Sequence, residues 1–220
     1  MGSQELPIFP LPTVVLFPGV KAPLHLFEPR YRQLGEAVVS GSHPMGMVLV
    51  PPEHVDDLQG NPPVYPIGCA GKIVQAQRLP DGRFNIVIAG TARFRIVSEA
   101  PPLGERLYRT AEVEWLDDPY PEDARPRVSE LRERIIAQLQ ELVDRAAPRR
   151  EGRVTENPVT GAGDANFVNS LCNALSFAPS EKQGLLEAPS VPERFERLEG
   201  LLAFRLADSG LGAEGSRSLH

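Results

Sequence analysis

The stretch that decides the fold is Ile67-Gly68-Cys69-Ala70-Gly71-Lys72-Ile73, followed by Leu79-Pro80-Asp81-Gly82-Arg83-Phe84-Asn85-Ile86-Val87-Ile88. Proline presets φ for a turn and glycine takes the left-handed backbone without steric cost. Pro80-Asp81-Gly82 therefore reads as the turn of a hairpin with arms Ile67–Leu79 and Arg83–Val97. The second arm alternates Phe84, Ile86 and Ile88 with Arg83, Asn85 and Val87. After Gly90 the alternation resumes as Arg93, Phe94, Arg95 and Ile96, so Gly90 is expected at a bulge or bend. Outward from the hairpin, Ala111, Val113 and Trp115 alternate with Thr110, Glu112 and Glu114 and predict a strand with one wet face. Thr13–Phe17 and Met45–Val50 are short apolar runs bounded by Pro and Gly and predict buried strands. Between them, Pro29–Val39 predicts one short helix, with Tyr31, Leu34 and Val38 at helical spacing. A curved sheet or small barrel over residues 1–118 follows.

The period changes beyond Asp117-Asp118-Pro119-Tyr120-Pro121. Val128, Leu131, Ile135, Leu139, Leu142 and Val143 form the apolar stripe of a long helix ended by Pro148. Arg149–Gly163 has no periodicity and reads as a polar loop. Asp164 then opens a helix through Phe177 that carries Phe167, Val168, Leu171 and Leu175. Ser180 with Gln183, and Ser190 with Glu193, read as capping boxes for two further helices. Residues 119–208 form a helical subdomain on this reading, and residues 209–220 a disordered tail. Strands followed by helices define the α+β class.

With 220 residues the chain can bury a core without disulfide or metal staples. No apolar run approaches the roughly 20 residues of a membrane span. Met1–Pro12 has no basic residue and is broken by prolines, unlike a secretory leader, so the expected location is the cytoplasm. Cys69 and Cys172 stand outside any CxxC pair and read as buried thiols. A net charge of -6 disfavours nucleic acid, whose phosphates call for clustered Lys and Arg.

Motifs for chemistry are scarce. Gly68-Cys69-Ala70-Gly71-Lys72 is too short for a phosphate loop and runs into a strand. His25, His43 and His54 suggest no ligand set, so neither a metal nor a cofactor is expected. Cys69 has no paired base to activate it. Ser180 and Lys182 lie two residues apart on one helix and face different directions, which argues against a serine-lysine dyad. Asp56-Asp57 and Asp117-Asp118 read as solvated turns. Arg149, Arg150 and Arg153 form a basic cluster without interleaved aromatics. No catalytic residue is assigned.

The runs Leu6-Pro7-Ile8-Phe9-Pro10-Leu11-Pro12, Val14-Val15-Leu16-Phe17-Pro18-Gly19 and Pro23-Leu24-His25-Leu26-Phe27-Glu28-Pro29-Arg30-Tyr31 resemble the opening of the Lon protease amino-terminal domain family. Gly90-Thr91-Ala92-Arg93-Phe94-Arg95-Ile96, Lys182-Gln183-Gly184-Leu185-Leu186-Glu187 and Val191-Pro192-Glu193-Arg194-Phe195 extend the resemblance in order from Leu6 to Leu206. It implies a PUA-like β pseudo-barrel followed by a carboxy-terminal α-helical bundle. It also implies a noncatalytic module that binds unfolded or apolar polypeptide, as an adaptor in proteolysis or protein quality control. No position matches the family's ATPase or serine-lysine peptidase motifs, so the chain reads as a stand-alone substrate-binding domain and not an enzyme. Candidate peptide-binding residues are Phe17, Leu26, Phe27, Tyr31 and Trp115, each with a competing place in the core. Glu28, Arg30, Gly90 and Arg93 are family-motif positions expected to be structural. The implied partners are unfolded or partly folded proteins and a protease or chaperone. A homo-oligomer is compatible with this reading, and a membrane is not. The alternatives are a small-molecule pocket, as in cereblon-type relatives, and RNA binding by a PUA-like barrel.

Overall fold

The computed structural model describes residues 4–41, 43–146 and 163–215. The Arg149, Arg150 and Arg153 cluster, most of the Arg149–Gly163 stretch and residues 216–220 lie outside them. The chain divides into two compact units, Met1–Asp118 with Asn169–Glu187, and Pro119–Val168 with Ala188–His220. These are not the contiguous halves expected from the sequence, because Asn169–Glu187 belongs with the sheet.

In the first unit the strands are β1 (Gln4–Leu11), β2 (Lys21–Leu26), β3 (Met45–Leu49), β4 (Ile67–Arg78), β5 (Phe84–Ala100) and β6 (Thr110–Leu116), with helix α1 (Pro29–Gly41) after β2. Their order is β2-β5-β4-β3-β1-β6, and β6 pairs again with β5. Five strands thus close into a pseudo-barrel and β2 extends it along the first half of β5. Among the described residues only β1 and β3 run parallel. Closure depends on the length and bending of β5. Register shifts between Ala70 and Gly71, between Ile73 and Gln75, and between Ile96 and Ser98 leave Thr91, Val74 and Val97 as extra residues. Such bulges bend a strand and increase its twist. The barrel interior is a cluster of Leu6, Ile8, Val48, Ala70, Phe94, Ala111 and Val113.

The hairpin forms about Pro80-Asp81-Gly82, where Gly82 has φ +82° and the Leu79 amide donates to Arg83 O at 2.8 Å. Thr13–Phe17 is not a strand, although Val15, Leu16 and Phe17 are buried. Pro12 and Pro18 bracket it, and its end turns back so that the Val20 amide donates to Phe17 O at 3.1 Å. The segment is fixed by Gly90 instead. Gly19 N donates to Gly90 O at 2.9 Å, and Gly90 N to Val20 O at 2.8 Å. β1 and β2 contain Pro7, Pro10 and Pro23, residues that obscure strand signals in a sequence.

Asn169 and Gln183 tie the returning segment to the sheet. Asn169 Nδ2 donates to Pro18 O at 3.0 Å and Gln183 Nε2 to Ile67 O at 2.8 Å. α3 (Asp164–Ala174) stops three residues short of the expected Phe177, and α4 spans Pro179–Leu186. The N-cap of α4 is Ala178 rather than Ser180. Glu181 reaches back to accept the Ala178 amide at 2.7 Å, and Pro179 takes the first helical position.

In the second unit α2 (Arg125–Ala146) buries Val128, Leu131 and Ile135, and α5 (Val191–Gly215) buries Phe195, Leu198, Leu202 and Leu206. α5 continues through residues 209–215, where the glycines predict a tail. Ser190 Oγ accepts the Glu193 amide at 3.2 Å, the forward half of the expected capping box. Arg145 near the end of α2 donates to Leu206 O at 2.7 Å, and Phe167 stacks on Phe195 at 5.9 Å.

Tyr120 donates to Asp164 Oδ2 at 2.7 Å, and Arg132 donates to Asp164 Oδ1 at 2.8 Å. Burial, and then the hydrogen bond into that carboxylate, push the Tyr120 pKa up to about 12. A phenol titrating near 10 when unfolded is held neutral by the fold. Its contribution to stability is therefore present below about pH 10 and lost as pH rises through about 12. Urea unfolding across that window should show a fall in stability that Tyr120→Phe removes.

Candidate functional site

The candidate residues fall into two groups, core and surface. Phe17 and Leu26 are fully buried and Tyr31 nearly so. Leu26 faces the helix: a Cβ on Gly35 of α1 would lie 2.8 Å from Leu26 Cδ1. Tyr31 packs edge-on to Phe9 at 4.3 Å and donates its hydroxyl to Pro10 O at 3.3 Å. Its burial raises the phenol pKa, with the Arg30 charge opposing. Phe17 and Leu26 fill the core, and Tyr31 is packed into it with only its edge accessible. Phe27 is different. It follows β2, is 57% exposed, and stacks on His25 at 6.0 Å. Trp115 is half-buried, edge-on to Phe94 at 6.4 Å, and donates Nε1–H to Gln4 Oε1 at 3.2 Å.

The family-motif residues make contacts within the fold. Arg30 pairs with Glu28 at 2.9 Å and donates to the Leu58 and Gly60 carbonyls. Arg109, which the sequence reading did not single out, pins the far end of the same loop by donating to Pro62 O at 2.8 Å, and it also pairs with Glu99. Arg30, Tyr31 and Arg109 line a cavity of about 170 Å³ beneath that loop. Because carbonyls and carboxylates already engage both guanidiniums, the pair acts as a clamp.

Gly90 has no room for a side chain, since a Cβ there would sit 2.1 Å from Phe17 O. Arg93, 2% exposed, donates to Leu186 O at 3.0 Å and Asp117 O at 2.7 Å, and its Nη2 lies 3.3 Å from Asp118 Oδ1. Asp118 is thus an ion-pair partner and not the solvated turn residue expected from its sequence. Buried polar residues at inward positions, Gln183 and Arg109 among them, are the signal that could have found these tethers from sequence.

Neither cysteine forms a disulfide, and both are buried. Lys182 Nζ donates to Asn173 O at 2.6 Å, while Ser180 is exposed. Among the described residues, no group of three or more His, Cys, Asp and Glu could hold a metal ion, and no helix is long and apolar enough to cross a membrane.

A sheet closed through one bent strand and followed by helices places the chain in the α+β class, with a PUA-like pseudo-barrel. It matches the family model of the ATP-dependent protease La (LON) substrate-binding domain over residues 5–203, and it belongs to that family. It is 25% identical over 201 residues to the Lon protease of Flavobacterium johnsoniae, and 28% identical over 203 residues to Lon protease 1 of Thermus thermophilus. These alignments cover 88% and 90% of this chain, which spans about 24% of each relative's length. The crystal structure of a Lon N-terminal domain protein from Xanthomonas campestris matches with a TM-score of 0.58 at 23% identity. The N-terminal domain of Mycobacterium avium complex Lon protease matches with a TM-score of 0.61 at 18% identity. Each covers 91% of this chain and 98% of the other, and at these identities they establish the fold.

Proposed function

We propose that this chain binds unfolded or partly folded polypeptide through exposed apolar side chains and does not cleave it, serving as a cytoplasmic adaptor in proteolysis or protein quality control. Membership of a substrate-binding family supports the class of ligand. The observation that carries the reading is Phe27, a large aromatic side chain held 57% exposed beside His25 at the end of β2. A soluble domain gains nothing in its own fold from such exposure, whereas an apolar client segment laid against the ring removes it from water. Trp115 offers a second partly accessible ring. The net charge of -6 sets the RNA reading apart from this one, since it favours neither phosphate contact nor salt-dependent retention.

Titrating a reduced, unfolded and fluorescently labelled protein with the full chain should give saturable binding with no shortening of the labelled chain. Phe27→Asp should weaken that binding by about tenfold or more, while the unfolding midpoint stays near that of the parent. Equal indifference to folded and unfolded protein would remove the proposal.

A further inference from the structure

Beyond Gly71, β4 leaves the barrel and keeps a partner on one side only. Its ladder with β3 ends at Met45 opposite Gly71, whereas its ladder with β5 continues to Arg78 opposite Phe84. Among the described residues, no strand pairs with the other side of Lys72–Arg78. All five residues Val74–Arg78 are exposed. The bond from the Leu79 amide to Arg83 O sets the phase of the antiparallel ladder. Alternation then directs the amide and carbonyl of Gln77 toward β5, and those of Ala76 and Arg78 outward.

The same phase carried through β5 directs the backbone of Pro23 in β2, opposite Val87, to the outer side of that strand. Proline has no N–H, so the β2 edge is interrupted at its middle, a usual way of protecting an edge from pairing. The β4 edge has no such block at Ala76. Beside it lies a groove of about 350 Å³ whose walls include Val38 and Val39 of α1, His43, Lys72 and Val74. Val39 and Val74 are 40% and 54% exposed, and no carboxylate lines the groove.

We propose that the outer edge of β4 over Lys72–Arg78 receives an extended polypeptide segment as an added strand, with its apolar side chains in the groove against Val39 and Val74. This rests on the reading of the chain as a polypeptide-binding module and specifies how one part of the client is held. Unpaired strand amides and carbonyls are matched by the backbone of an extended chain, and alternate side chains of an added strand enter one groove. Lys72 and His43 on the groove wall match a segment that carries a carboxylate next to its apolar residues, while a carboxylate near this edge, Glu36 of α1, is paired with Arg78 at 2.9 Å at the far end.

The probe is a short labelled peptide that alternates valine and threonine and ends in glutamate, titrated with the full chain. Hydrogen exchange should slow at the Ala76 and Arg78 amides when the peptide saturates. Ala76→Pro removes one outward donor and leaves the β5 ladder bonds intact, and it should weaken binding about tenfold. Should that variant fail to fold, the unaltered protein is tested with two peptides N-methylated on opposite alternating sets of amides, of which one set alone should abolish binding. If both methylated peptides bind as the parent does, or Ala76 and Arg78 exchange unchanged, the edge proposal is overturned. If the unfolded protein still binds in a Phe27-dependent way, the broader reading survives that result. If neither peptide nor unfolded protein binds, both fall.

Discussion

Gly90→Ala is expected to lower the unfolding free energy by about 3 kcal/mol. The added methyl would meet Phe17 O at 2.1 Å and Leu16 Cγ at 3.2 Å, and neither neighbour is the loose end of a flexible side chain. Relief requires that the Leu16–Val20 segment lift away from β5. That movement would strain the paired bonds Gly19 N to Gly90 O and Gly90 N to Val20 O, and would open the site filled by Phe17. Urea denaturation of parent and variant measures the difference, and coincident midpoints would show that the segment yields at no cost.

Arg93→Ala should be of comparable size, about 3–4 kcal/mol, because it leaves a half-buried carboxylate on Asp118 and strands the carbonyls of Leu186 and Asp117. Three groups from two regions of sequence converge on one guanidinium. Arg93→Lys keeps the charge but replaces a planar fork with a single ammonium, so it should recover only part of the loss. Full recovery by lysine would show that charge alone matters at this position and that the fork geometry does not.

The parts of this fold legible in the sequence are those fixed by neighbours in the chain. The Pro80-Asp81-Gly82 turn, the alternation along β5 and β6, and the first half of the stripe on α2 each follow from local chemistry, whereas Val143 at the far end of that stripe is 60% exposed. Thr13–Phe17 predicts a strand and forms none for the opposite reason. Its apolar content signals burial, but its conformation is set by Gly90, far along the chain, and no local pattern carries that information. Ser180 is a good capping residue by type, yet Glu181 and Pro179 open α4 from the positions beside it. At the candidate site, aromatic identity alone could not separate Phe27, which faces water, from Phe17 and Leu26, which fill the core. The backbone edge of β4 left no trace in residue type, since it depends on where β3 stops.

The return of Asn169–Glu187 to the sheet unit bears on how the protein is made. A ribosome that has released residues up to Asp118 has supplied every strand of the barrel. Yet the Ile67 carbonyl still awaits Gln183, 116 positions later, and Arg93 awaits the Leu186 carbonyl, 93 positions later. Until those residues emerge, a cation destined for the interior lacks one of its acceptors. The nascent barrel reaches its final stability only after most of the chain has been translated.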